Sequence, residues 1–130
     1  MFHVVGLDHV ALTVRDPKRS LEWYQRVLGM EQRYQHVWSG PHDPIMACSR
    51  ETCLALFPPD TTNPLPPPDH HVIAMRHFAL RLDRRNFEHA QVELAQQNIP
   101  FSFEDHTIAH SIYVFDPDGH RVELTTYELA

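Results

Sequence analysis

Eleven histidines are spread over 130 residues, and two of them stand in matching surroundings. Asp8-His9-Val10-Ala11-Leu12-Thr13-Val14 aligns with Arg76-His77-Phe78-Ala79-Leu80-Arg81-Leu82 at a separation of 68 positions. The same step back from Val122-Glu123-Leu124 lands on Leu54-Ala55-Leu56, so a carboxylate at one position is an alanine at its counterpart. Imidazole nitrogen and carboxylate oxygen are ligands for divalent first-row metals. Two histidines and one acidic residue on one face of an octahedron leave three positions for a bidentate substrate and O₂ or water, the arrangement of non-haem Fe(II) sites. The set also suits Mn(II) and, with a fourth ligand, Ni or Zn. A lone histidine on a strand carries little weight. Two at equivalent repeat positions with a same-face glutamate make His9, His77 and Glu123 the candidate metal ligands.

That reading requires the three side chains to share a face. Side chains alternate along a strand. Val10, Leu12 and Val14 form one set, with His9, Ala11 and Thr13 opposite. Phe78, Leu80 and Leu82 oppose His77, Ala79 and Arg81, and Val122 and Leu124 oppose Arg121, Glu123 and Thr125. The apolar sets are expected to pack on helices, which leaves the candidate ligands on the concave, non-helical side.

The elements that hold them follow from the pattern. Leu21, Tyr24 and Leu28 fall at i, i+3 and i+7 between Asp16-Pro17 and Gly29, and Phe87, Ala90 and Leu94 repeat the spacing before Asn98. Asp16 suits an N-cap with proline at N1, and Gly29 suits a C′ position. Strand-like runs follow each helix: Glu31–Trp38, Ile45–Ser49 and Thr52–Phe57, then Phe101–Asp105, Ser111–Phe115 and Arg121–Tyr127. Turn signals stand at Gly40-Pro41, Ser49-Arg50-Glu51 and Asp116-Pro117-Asp118-Gly119. Six of eleven prolines lie within Pro58–Pro68, where they exclude a helix or central strand and mark a linker. The expected architecture is α+β: one domain over 1–130 made of two tandem βαβββ modules, about 5–58 and 73–128. A Pro-rich linker (58–71) joins them into a cupped mixed sheet with helices outside.

Composition excludes several functions. A formal charge of −6 opposes a nucleic-acid partner, since phosphate binding needs a basic surface. No run approaches the ~20 apolar residues of a membrane span. The N-terminus has neither the basic flank nor the apolar run of a signal peptide. Cys48 and Cys53 are too few for a disulfide scaffold and are expected as reduced thiols of a cytoplasmic protein.

Leu7–Leu12, Trp23–Gly29 and Ser111–Leu124 resemble the vicinal oxygen chelate superfamily, and the resemblance extends from Leu7 to Tyr127. That group includes glyoxalase I, extradiol dioxygenases, fosfomycin-resistance proteins and bleomycin-binding proteins. The resemblance implies paired βαβββ modules curled around a divalent metal, with ligands at His9, His77 and Glu123 and a small substrate chelating through vicinal oxygens. It also implies a homodimer, with the site inside one chain or with His9 of one subunit joined to His77 and Glu123 of the other. Glyoxalase I-type isomerases place a fourth ligand where Ala55 stands, with Glu51 the nearest acid. The fosfomycin transferases match in size and in the Asp116–Glu123 segment, but their phosphonate-binding pattern is poorly met at Phe101, Phe103 and Thr107. The extradiol signature fits better: His106, Ile112-Tyr113, Asp116-Pro117-Asp118-Gly119, then Glu123. Glu104 departs from it, and many of those enzymes have four modules rather than two.

The expected function is therefore a metal-dependent enzyme, extradiol-dioxygenase-like or a related lyase or transferase, with Fe²⁺ or Mn²⁺ favoured over Ni²⁺ or Zn²⁺. Tyr113 is expected to face the cup and orient substrate, and His106 to act as a base toward a chelating hydroxyl. The rival reading is a metal-free ligand-sequestering protein of the bleomycin-resistance type. His110 is a weaker candidate, His120 is expected to be solvated in its hairpin, and His36 and His42 follow no spacing rule. His70 and His71 belong to the linker, and Asp83-Arg84-Arg85 reads as the start of a solvated helix face.

Overall fold

The 68-residue step seen in the sequence is also the step between two sets of strand pairings. A computed structural model describes residues 1–130. It divides into two compact units, Met1–Leu65 and Pro66–Ala130. The first contains β1 (His9–Thr13), α1 (Pro17–Leu28), β2 (Glu31–Arg33), β3 (Ile45–Ser49) and β4 (Thr52–Phe57). The second contains β5 (Phe78–Arg81), α2 (Arg84–Gln96), β6 (Ser102–Asp105), β7 (His110–Phe115) and β8 (Arg121–Thr126). Each unit holds one four-stranded mixed sheet, ordered β1-β4-β3-β2 and β5-β8-β7-β6. β1 runs parallel to β4 with Ala11 opposite Ala55, and β5 runs parallel to β8 with Ala79 opposite Glu123. The offset between these pairs is 68 on both strands. The fold is α+β, two βαβββ modules.

The helices begin and end where the caps dictate. Asp16 accepts from the Lys18 and Arg19 amides, Pro17 opens α1, and Gly29 closes it at φ 65, a left-handed conformation that glycine adopts without steric cost. Asp83 accepts from the Asn86 amide and caps α2, so the Asp83-Arg84-Arg85 run opens the helix as expected, with Asp83 and Arg85 exposed. The buried stripe of α1 is Ser20, Trp23, Tyr24 and Val27, with Leu21 and Leu28 only half-buried. That stripe lies slightly round the helix from the expected one, because the indole of Trp23 offers more area to bury than a leucine. Phe87 and Leu94 are the buried residues of α2, and Ala90 is half-buried.

Two expectations are corrected. The strand foreseen over Glu31–Trp38 stops at Arg33. Tyr34 takes a φ of 63 and its carbonyl accepts from the amides of both Val37 and Trp38, which turns the chain out of the sheet. Second, Cys48 and Cys53 are not reduced thiols. They face each other across the β3–β4 ladder, with Cα atoms 4.1 Å apart, and are joined in a disulfide. Their five-residue separation looked unremarkable in sequence; the hairpin turn at Ser49–Thr52 makes it a directly opposed pair.

The face parity is as expected. Leu12, Val14, Leu54 and Leu56 are buried on the side of α1, and Phe78, Ile112, Val114, Val122 and Leu124 on the side of α2. At about 25 cal/mol per Å² of buried apolar surface, these two faces supply most of the folding drive of each unit. What remains is one open face per sheet, and these two faces differ in chemistry. No helix is long and apolar enough to cross a membrane.

Candidate metal centre

The open face of the second sheet is polar and partly dry. Residue pairing sets its layout: Tyr113 lies opposite Glu123, Ser111 opposite Thr125, and Glu123 beside Ala79, with His77 directly ahead of β5. His77 Nε2 stands 2.8 Å from Glu123 Oε1, and the Glu123 side chain is only 12% exposed. The Ser111 hydroxyl, itself fully buried, donates to Glu123 Oε2 at 2.7 Å and lies 2.9 Å from Thr125 Oγ1. Both carboxylate oxygens are thus committed in direction, one to the imidazole and one to the hydroxyl. His77 Nδ1 is buried with no partner.

A divalent ion fits this donor pair. Ligands each about 2.1 Å from one ion and at right angles stand about 3 Å apart, close to the His77–Glu123 spacing. Neutral imidazole and carboxylate are ligands for first-row divalent metals, and Ser111 supplies the outer hydrogen bond that fixes the carboxylate. Sequence reasoning gave Ser111 no role. Its parity with Tyr113 was the available signal.

Tyr113 and His106 are brought together as well. His106 Nε2 lies 2.9 Å from the Tyr113 hydroxyl, His77 meets the Tyr113 ring edge-on at 5.8 Å, and the Arg121 guanidinium stacks on it at 4.1 Å. Thr107, at φ 74, makes the sharp turn that returns His106 toward β7. Burial pushes the Tyr113 phenol above its ordinary pKa of 10.0, followed by the charges of Glu123 and Glu104, with Arg121 opposing them. The phenol is therefore held as a hydrogen-bond donor. Arg121 is a second residue the sequence reading passed over; its alternation with Glu123 put it on this face.

Other histidines lie elsewhere. His110 packs on the helix side against Phe103, with Arg84 Nη1 at 2.9 Å from its Nδ1, so it serves the α2 junction. His120 is half-buried rather than solvated, its amide donating to Asp116 Oδ1 within the tight β7–β8 turn. His36 and His42 are exposed, and His70 pairs with Arg76.

In the first unit, His9 occupies the position equivalent to His77. It is 45% exposed, and its Nδ1 lies 2.7 Å from the Asp8 carboxylate, which leaves Nε2 outward. His9 also lines a cavity of about 610 Å³ whose walls include Trp38, Met46, Cys53 and Phe57. Ala55, opposite Ala11, occupies the place of Glu123, and Glu51 belongs to the β3–β4 turn, so the register leaves no carboxylate on that strand. No group of three or more His, Cys, Asp or Glu side chains gathers at metal-holding distance in the chain.

Two βαβββ units of matching topology, one of them bearing an oriented His–Glu pair on its open face, define the class of fold. The chain belongs to the Glyoxalase/Bleomycin resistance protein/Dioxygenase superfamily, whose family model matches residues 6–124. It is 26% identical over 119 residues to a catechol-2,3-dioxygenase of Bacillus subtilis (strain 168), covering 91% of this chain but 40% of that protein. It is 24% identical over 125 residues to the glutathione transferase FosA of Serratia marcescens, covering 96% of this chain and 83% of that one. Among solved structures, the lactoylglutathione lyase of Agrobacterium tumefaciens superposes with a TM-score of 0.72 at 23% identity, covering 95% of this chain and 94% of that one. A fold of this kind hosts many reactions, so the reaction must be argued from the site.

Proposed function

We propose that the protein is a metal-dependent enzyme acting on a small substrate with two adjacent oxygens, with extradiol-dioxygenase-like chemistry as the leading reading. His77, Glu123 and His9 would hold the metal, Fe²⁺ or Mn²⁺ because two imidazoles and one carboxylate make the facial set that leaves positions open for substrate. The observation that carries the reading is the convergence of His77 and Glu123 at 2.8 Å, with the Tyr113–His106 pair on the same unit. When bound, the metal supplies a Lewis acid and a template for the chelating oxygens.

The chain's own residues do the rest. Ser111 holds the Glu123 carboxylate in one orientation. Tyr113 orients substrate by taking the proton of a chelating hydroxyl at its oxygen while it passes its own phenolic proton to His106 Nε2, 2.9 Å away. Arg121, stacked on the ring, fixes the phenol's direction.

Elemental analysis of anaerobically purified protein, followed by oxygen uptake with catechols, tests this directly. One equivalent of iron or manganese, absent from His77→Ala, together with catechol-dependent uptake, is the expected result. A folded protein that stays metal-free after reconstitution would sink it in favour of a ligand-sequestering protein. Whether a homodimer shares the ligand set is read by mixing His9→Ala with His77→Ala: regained metal means that ligands come from two copies.

A transferase reading stands beside it, because a glutathione transferase is among the similar proteins. The chain spans most of the FosA relative but less than half of the catechol dioxygenase. Bound metal without oxygen uptake, but with thiol consumption in the presence of an electrophile, would select it.

A further inference from the structure

We infer that the Cys48–Cys53 disulfide masks a sulfur ligand: once reduced, Cys53 joins His9 as a donor for a thiophilic divalent cation. The inference rests on the proposed role of His9 as a metal ligand and places a switchable sulfur donor beside it.

Four observations converge on this pair. His9 and Cys53 are register partners on adjacent parallel strands and so point to the same face, with strands about 4.8 Å apart. Both line the same cavity, which is large enough to admit a small molecule. Asp8 occupies His9 Nδ1, the outer hydrogen bond that a metal-binding imidazole uses to aim its other nitrogen. The two sulfurs also differ in access. Cys48 is fully buried with Met46 and Ala55, whereas Cys53 is half-buried on the cavity wall.

A staple alone is a weak explanation for this bond. It closes a very short loop, where cross-linking removes least entropy from the unfolded chain, and β3 and β4 are already paired over the whole hairpin. Within the same hairpin, the disulfide consumes the one soft donor placed beside His9.

Opening it requires two equivalents of a small thiol. The first, as thiolate, attacks Cys53 Sγ; the S–S bond breaks and the departing Cys48 sulfur takes a proton. The second attacks the small-molecule sulfur of the mixed disulfide, releasing Cys53. The protein gains two electrons and the thiol leaves as its own disulfide. A free Cys53 thiolate then shifts the site's preference from hard cations toward Zn²⁺ or Co²⁺.

The test uses Co²⁺ as probe, added to the full chain as the disulfide and, separately, after dithiothreitol reduction and anaerobic removal of the reductant. A sulfur-to-cobalt charge-transfer band in the reduced protein alone is the expected result. The band should vanish in Cys53→Ser and in His9→Ala, and should appear without reduction in Cys48→Ser, where Cys53 is permanently unpaired. Cobalt bound by the reduced protein with no such band overturns the inference and leaves the metal reading standing. A band lost in His9→Ala but kept in His77→Ala upholds the inference and removes the three-ligand assignment. No cobalt bound in either state defeats both.

Discussion

The two units have one topology and opposite open faces. In the first, Met46, Cys48 and Ala55 form a buried apolar cluster, flanked by Cys53 and Phe57. In the second, the equivalent surface carries Ser111, Tyr113, Glu123 and Thr125. Stepping by the repeat, Glu123 becomes Ala55 and Thr125 becomes Phe57, and Tyr113, the partner of Glu123, becomes Met46, the partner of Ala55. The helix-facing residues, on which folding depends, are apolar in both units, whereas the other face differs. One unit carries hydrogen-bonding groups that satisfy a buried carboxylate; the other has apolar residues in their place.

The largest effect is expected from forcing the two faces to match. Ala55→Glu places a carboxylate opposite Met46 with no counterpart of the Ser111 hydroxyl and only the exposed His9 as an equivalent of His77, and a buried charge short of hydrogen-bond partners costs several kcal/mol. Chemical denaturation should register a loss of roughly 3 kcal/mol or more. A loss under 1 kcal/mol would mean that the first unit's face is far more polar than its residues indicate.

Next is the converse change in the second unit. Ser111→Ala leaves Glu123 in place but removes its fixing hydrogen bond, and metal affinity should fall about 10–100-fold. Calorimetric titration of the apo protein measures it, and unchanged affinity would strip Ser111 of its role. Tyr113→Phe is expected to keep the metal and lower turnover by about 100-fold. Unchanged turnover would assign the phenol to packing alone.

A smaller signal is the titration of Tyr113 itself. Its folded-state pKa is raised above 10.0. Below pH 10.0 both folded and unfolded chains keep the phenolic proton, so this group adds no pH dependence. Above it the unfolded chain gives up the proton first, and stability falls as pH rises toward the folded-state value. Ultraviolet titration should show a late-ionising tyrosine phase that is missing in Tyr113→Phe.

The smallest comparison is between helix caps. Asp16→Ala and Asp83→Ala should each cost about 1 kcal/mol. Asp16 receives two amides and Asp83 one, so the first loss should be the larger.

Much of this was legible in the chain alone because it depends on local rules. Period-2 alternation separated His9, His77 and Glu123 from the helix-facing residues, Asp16-Pro17 and Gly29 bounded α1, and the 68-residue step matched the elements of one half to those of the other. The proximity of His106 to Tyr113 was half legible: the residues were chosen, but the turn at Thr107 that joins them was not. The end of β2 at Arg33 was hidden because nothing in the Tyr34 side chain announces a left-handed backbone.

What only the tertiary structure decided are facts about opposed atoms. Ser111 reaches Glu123 because β7 and β8 pair in one register; a one-residue slip would turn the hydroxyl to the helix side. Cys48 meets Cys53 because a two-residue turn puts them in one rung of the hairpin, and bonding needs that Cα separation rather than any sequence spacing. Sequence determined which residues share a face, since the pleat fixes parity. The partner of each polar atom came from strand pairing, which is set by packing summed over the whole unit.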